Sequence, residues 1–174
     1  MERLGYRHDE DRCYGVAGMA IGLVIFDGED YLEGINVDAR SDELISLSNQ
    51  FYFGGSPTFS AKSVWTRVVN NFNIMSAMVI SNALCRSLVQ DGMPVRFEIK
   101  QQIRDILTLE ASETCELEKD EIERLFEKNY NYLYRVFNHG GVQDVAREMV
   151  ERLRRTRTMS RLDVLEQLRS LSML

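Results

Sequence analysis

The run SPTFSAKSVWTRVVNNFNIMSAMVISNALCRSLVQDG, from Ser56 to Gly92, decides how the rest of the chain is read. Ser56-Pro57 has the chemistry of a helix start: a hydroxyl that can cap free amides, then a proline whose fixed φ suits the first helical position. Gly92, ahead of Pro94, closes it. Between these signals Val64, Trp65, Val68, Val69, Phe72, Met75, Met78, Val79, Ala83, Leu84 and Leu88 recur at three- and four-residue spacing, the period of one broad apolar helical face. From Ile74 to Leu84 the polar interruptions are Ser76, Ser81 and Asn82, so this part is nearly apolar all round and is expected to be covered on several sides. The spacing therefore predicts a core helix over 56–91, with Trp65 and Phe72 buried. Unbroken, it would run about 50 Å at ~1.5 Å per residue, so a kink is expected near Asn70-Asn71 or Asn73.

On the N-terminal side, Ser41-Asp42-Glu43 resembles a helix start, and Leu44, Leu47, Ser48 and Phe51 share a helical face that ends at Gly54-Gly55. Further back, Ile21, Leu23 and Ile25 alternate with Gly22, Val24 and Phe26. Asp27-Gly28 then supplies a hairpin-turn dipeptide, and Tyr31 to Val37 offers a second strand. A β-hairpin over 19–37 is expected. The competing helix would place Gly15, Gly18 and Gly22 on one face for very close packing, at a local cost of ~3 kcal/mol relative to alanine. Residues 1–13 are polar and aperiodic and are taken as an N-terminal arm.

On the C-terminal side, Ile99, Ile103, Ile106 and Leu107 predict a helix over roughly 94–110. Ile122, Leu125, Phe126, Tyr130, Leu133, Val136 and Phe137 mark the next, starting at Asp120 or Ser112 and ending at His139-Gly140-Gly141. Val142, Val145, Met149, Val150 and Leu153 mark another. Ser160-Arg161-Leu162-Asp163 then resembles a capping box with Asp in the Glu position, opening a last helix through Leu162, Leu165, Leu168 and Leu171. The expected fold is α+β and predominantly helical, with about six helices around the apolar helix 56–91 and an N-terminal hairpin 19–37. Residues 14–174 form a single domain.

A chain of 174 residues can bury a sizeable core without staples. Three cysteines, Cys13, Cys85 and Cys115, are odd in number and widely spaced, which reads as reduced thiols in a cytoplasm and not as a secreted disulfide scaffold. Met1 to Arg12 mixes both charges and lacks a signal-peptide layout. The apolar run Val16 to Phe26 is 11 residues, short of the ~20 a bilayer needs, so no membrane role is expected. A net charge of −6 argues mildly against nucleic acid as the main ligand.

Neither histidine, His8 or His139, has a metal-ligand spacing partner, so no metal and no cofactor is expected. His139 reads as a cation or donor near a helix C-terminus. Cys85, in the most apolar helix, reads as a small core residue, with no base nearby in sequence to make it a nucleophile. The carboxylates between Asp105 and Glu127 contain no Glu-x-x-His pair and read as a solvated acidic face. Gly54-Gly55-Ser56 lacks the lysine of a P-loop. The tail says more: Arg147, Arg152, Arg154, Arg155, Arg157 and Arg161 cluster in an otherwise acidic chain. Arg152, Arg154, Arg155, Arg157 and Arg161 are the candidate anion- or partner-binding residues. They either pair with the preceding acidic interval, within the chain or across a dimer, or grip phosphates.

With no catalytic constellation readable, the expectation is an interaction or accessory protein that self-associates, the hairpin meeting a second copy across a two-fold axis. A nucleic-acid-binding regulator using Arg147 to Arg161 is the alternative, and an enzyme with a dispersed site the third reading.

Overall fold

In the computed structural model, which describes residues 5–53, 61–115 and 117–173, the segment expected to open the hairpin is the second half of a helix, α1 (Asp9–Ile25). Its glycines explain why. A Cβ at Gly18 would lie 2.6 Å from Cys85 Cβ and 2.9 Å from the Ser81 carbonyl carbon, and one at Gly22 would lie 2.8 Å from Ala77 O. The two helices touch backbone to backbone along this stripe, and Val16, Ala17, Ala20, Ile21 and Leu23 are fully buried beside it. The local cost of helical glycine is thus offset by apolar burial at ~25 cal/mol per Å². Five residues of the expected polar arm, Asp9 to Cys13, belong to α1. His8 Nδ1 accepts a hydrogen bond from Asp11 N at 3.2 Å, and Asp9, Glu10 and Asp11 occupy the first turn, where the dipole favours negative charge.

The N-terminal hairpin is present, one element later than the alternation suggested. After a 3₁₀ turn (Glu29–Tyr31), β1 (Leu32–Asn36) falls inside the expected second strand and pairs antiparallel with β2 (Ile45–Leu47), Ile35 opposite Ile45. The other edge of β1 is taken by β3 (Thr158–Ser160), with Ile35 opposite Met159, so the sheet order is β2-β1-β3. The helix expected from Ser41 is therefore a strand followed by the short α2 (Asn49–Phe53). Pairing with β1 while Leu44 and Ile45 are buried outweighs a weak local helix signal.

The apolar helix is α3 (Ala61–Leu84), continued by a π-helical turn, Cys85–Gln90. Its expected opening at Ser56-Pro57 lies outside the described residues. No break occurs at the asparagines, because their amides bond sideways and leave the helix backbone alone. Asn71 Nδ2 donates to Phe51 O at 2.6 Å, and Asn73 Oδ1 accepts from Asn129 Nδ2 at 2.6 Å. The π turn closes at Gly92, whose φ of 65° a side chain would resist. Phe72 is 5% exposed as expected, but Trp65 is 44% exposed, since the first turns of α3 extend past the core. Val64–Gln90 is long and apolar enough to cross a membrane, yet 67% of its most apolar window is buried in the protein, as in the core helix of a soluble domain.

α1 packs chiefly against α3 and, on another side, against α6 (Gly140–Thr156). α4 (Phe97–Thr114) and α5 (Lys119–Phe137) pack together and against α3. α7 (Arg161–Leu168) starts at the expected capping box: Ser160 Oγ accepts from Asp163 N at 3.3 Å, and Asp163 Oδ2 accepts from Ser160 N at 3.0 Å.

Candidate functional site

Met75, Val79 and Asn82 lie on one face of α3 at helical spacing, with Met78 beside them, and this face forms the floor of a cleft of about 360 Å³. Met19 of α1, Leu44, Ile45 and Leu47 of the hairpin region, Phe51 and Tyr52 of α2, and Ile106 and Leu107 of α4 complete apolar walls. Ser41, Asp42, Glu110, Gly5 and Tyr6 also line it.

Two of the lining residues, Asn82 and Tyr6, are hydrogen-bonded to each other. Asn82 is 8% exposed; its Nδ2 donates to Tyr6 Oη at 2.9 Å, while its Oδ1 is buried without a hydrogen-bond partner. A buried amide oxygen left unmatched costs about 1–3 kcal/mol. Tyr6 is held against two guanidinium groups, Arg86 Cζ 5.0 Å and Arg12 Cζ 5.8 Å from its ring centroid. Burial pushes the Tyr6 hydroxyl above its ordinary value, only partly countered by the Asn82 hydrogen bond and the nearby arginines. At neutral pH it therefore keeps its proton, accepting from Asn82 and free to donate.

Tyr6 is positioned by a buried ion network. Asp11, fully buried, accepts from Arg86 Nε at 3.0 Å and Nη2 at 2.6 Å, and from Arg7 N at 2.9 Å and Nη2 at 2.7 Å. Arg7 also pairs with Asp91 at 3.0 Å. Burial pushes the Asp11 carboxyl up, but the hydrogen bonds from Arg86 and Arg7 override it and hold it at about 2. The π turn at Cys85–Gln90 carries Arg86 and ends beside Asp91, so this local widening of the helix supplies the partners that tie down residues 5–8.

The arginine segment is engaged within the chain. Arg152 pairs with Asp163, and Arg154 Nη1 with Glu10 at 3.1 Å. Arg157 pairs with Asp9 at 2.7 Å and Asp38 at 2.6 Å, and Arg161 with Asp30 at 3.1 Å. The hydrogen bonds from Arg157 hold the Asp9 and Asp38 carboxyls below their ordinary range. Arg155 is exposed and has no carboxylate partner among the described residues. Arg147 pairs with Asp144 at 3.1 Å. The partners are thus mostly N-terminal carboxylates, where the acidic interval after Asp105 had been expected. Those acids answer to α4 and to their own helix: Glu127 pairs with Lys100 at 3.0 Å and with Arg104, Glu123 with Arg104 at 3.3 Å, and Asp120 with Arg124 at 2.8 Å.

His139 is exposed and is the N-cap of α6, directly after α5 ends, while His8 caps α1. Cys13, Cys85 and Cys115 are free and buried, and burial pushes the Cys85 thiol far up. Among the described residues no three His, Cys, Asp or Glu side chains converge as metal ligands. Asn82 stood out in sequence only as one polar interruption in an apolar helix, and Tyr6 and Asp11, inside a polar arm, carried no signal. Comparison with protein families, with curated proteins and with solved structures finds no match to this chain.

Proposed function

We propose that this chain is an interaction or accessory protein that acts by binding, and that the cleft over α3 is its binding site. The observation that carries the reading is an apolar concavity of about 360 Å³ with the hydrogen-bonded pair Asn82 and Tyr6 among its lining residues. That volume lies at the lower end of small-molecule sites, ~300–1,000 Å³, and a few placed polar groups in apolar walls is their usual chemistry. Met19, Met75 and Met78 give the walls adaptable side chains. The three buried free thiols suit a reducing cytoplasm.

The test is titration with an uncharged apolar dye such as Nile red. Bound dye is expected to brighten and to raise Tm by mass action. Met75→Asp, at a half-buried position on the cleft floor, is expected to abolish both effects while circular dichroism stays unchanged. A wild-type chain that neither brightens the dye nor is stabilised by it refutes the reading.

Self-association is a second reading, favoured by Val64 and Trp65, 47% and 44% exposed at the start of α3. Of the hairpin, β1 is paired on both sides, by β2 and β3, and β2 is an edge strand of the sheet. A dimer at micromolar concentration that survives high salt and dissociates on Trp65→Asp would support this reading, and a strict monomer by light scattering would end it. Nucleic-acid binding is the lesser alternative, since Arg152, Arg154, Arg157 and Arg161 already face carboxylates. Heparin affinity falling steeply with salt would restore it.

A further inference from the structure

Resting on the cleft as the binding site, we infer that its ligand is a small organic cation: an apolar body carrying one ammonium or guanidinium group, received by Glu110. Charge sets this chemistry. Among the described residues that line the cleft, the charged side chains are Asp42 and Glu110, both carboxylates, and no lysine, arginine or histidine stands with them. The two acids differ in what they face. Asp42 pairs with Arg40 at 3.0 Å, so a cation already sits beside it. At Glu110, Thr114 Oγ1 donates to the backbone carbonyl at 2.7 Å, while the carboxylate itself has no hydrogen-bond or ion-pair partner among the described residues.

Helical spacing sets that carboxylate on the cleft side of α4. Ile103, Ile106, Leu107 and Glu110 follow one another at steps of three, one and three residues, which keeps them on a single face; Ile103 and Leu107 are buried, and Ile106, Leu107 and Glu110 line the cleft. Glu110 is half-buried, so its charge is open to a ligand yet borders apolar surface, where attraction to a cation is stronger than in bulk water. Tyr52, exposed and part of the same lining, adds an aromatic ring of the kind organic cations favour. Competing ligands fit less well. An anionic head would meet two carboxylates and no cation, and a neutral head would leave the Glu110 charge uncompensated. A bare metal ion would leave the walls formed by Met19, Met75, Met78, Val79 and Ile106 uncovered, whereas an organic body buries them.

The experiment is displacement of Nile red by three octyl compounds of one chain length, octylammonium, 1-octanol and octanoate, at pH 7.5. At low salt octylammonium is expected to bind roughly tenfold more tightly than octanol, the lower end of what a charge-assisted hydrogen bond supports, because Glu110 is only half-buried. Octanoate is expected to bind more weakly than octanol. Raising salt from about 0.01 M to about 1 M shortens the screening length from about 30 Å to about 3 Å and is expected to narrow the gap between octylammonium and octanol. Glu110→Gln, which keeps the side chain's shape, is expected to bring octylammonium down to the affinity of octanol while octanol binds as before. Should that variant fail to fold, the salt series on the unaltered protein carries the test. Octanol or octanoate binding as tightly as octylammonium, a preference for octylammonium that salt does not touch, or one that survives Glu110→Gln overturns the inference and leaves the cleft reading standing. Binding of none of the series, together with no response to the dye, removes both.

Discussion

Gly18→Ala is the substitution that most directly tests why residues 19–25 are helix and not strand. Alanine at an ordinary helical position is better than glycine by ~1 kcal/mol, so a Gly18 facing solvent would make the variant more stable. In the structure the new methyl group would stand 2.6 Å from Cys85 Cβ and 2.9 Å from the Ser81 carbonyl carbon. Both are fixed parts of α3 and its continuation, so no rotamer change relieves the overlap and α1 must shift outward. Overpacking of this kind costs typically 1–3 kcal/mol, and backbone neighbours place it near the upper end. Subtracting the ~1 kcal/mol propensity gain leaves a net loss of about 2 kcal/mol. For a chain of this length that lowers Tm by roughly 4–8 °C. Urea unfolding followed by far-ultraviolet circular dichroism measures it. Gly140→Ala is the control: nothing lies within 4 Å of its added methyl, so it is expected to be neutral or slightly stabilising. A Gly18→Ala protein as stable as the Gly140→Ala protein would refute the backbone contact between α1 and α3.

Asp11 sits well below the ordinary carboxylate value of 3.8, at about 2, so its contribution is fully present above pH 4 and is lost as pH falls toward 2. Asp11→Asn leaves Arg86 under-compensated and is expected to cost about 3–5 kcal/mol at pH 7, a penalty that shrinks on acidification; a pH-independent difference in denaturant midpoints would contradict this. Phe72→Ala is expected to cost about 3–5 kcal/mol and Trp65→Ala less than about 1, and the single tryptophan should be readily quenched by acrylamide in the native protein. Native protein is expected to leave a thiol reagent such as Ellman's unreacted at pH 8, with all three cysteines reacting in guanidinium; fast native labelling would mean that their burial is transient.

The apolar stripes of α3, α5 and α6 and the capping box at Ser160 were legible in the sequence because each is a local matter: a period of 3.6, or a side chain meeting an amide three residues on. Phe72 in the core follows from the same periodicity. Asn82 was visible as a polar break in an apolar helix, though not as a lining residue of a cleft. The rest depended on groups remote in sequence. Gly18 and Gly22 weaken a helix locally and fit one only because Ser81, Cys85 and Ala77 of a helix remote in sequence lie against them. Thr158–Ser160 is three residues long and becomes a strand only because β1 offers an edge. Trp65 is exposed because the apolar helix outruns the core that covers its second half. The carboxylates that receive Arg154, Arg157 and Arg161 come from the opposite end of the chain, since charge attraction acts through space and leaves no spacing in sequence to read. Tyr6 joins the cleft by the same logic, held there by Asp11, Arg7 and Arg86 after α1 and α3 have packed.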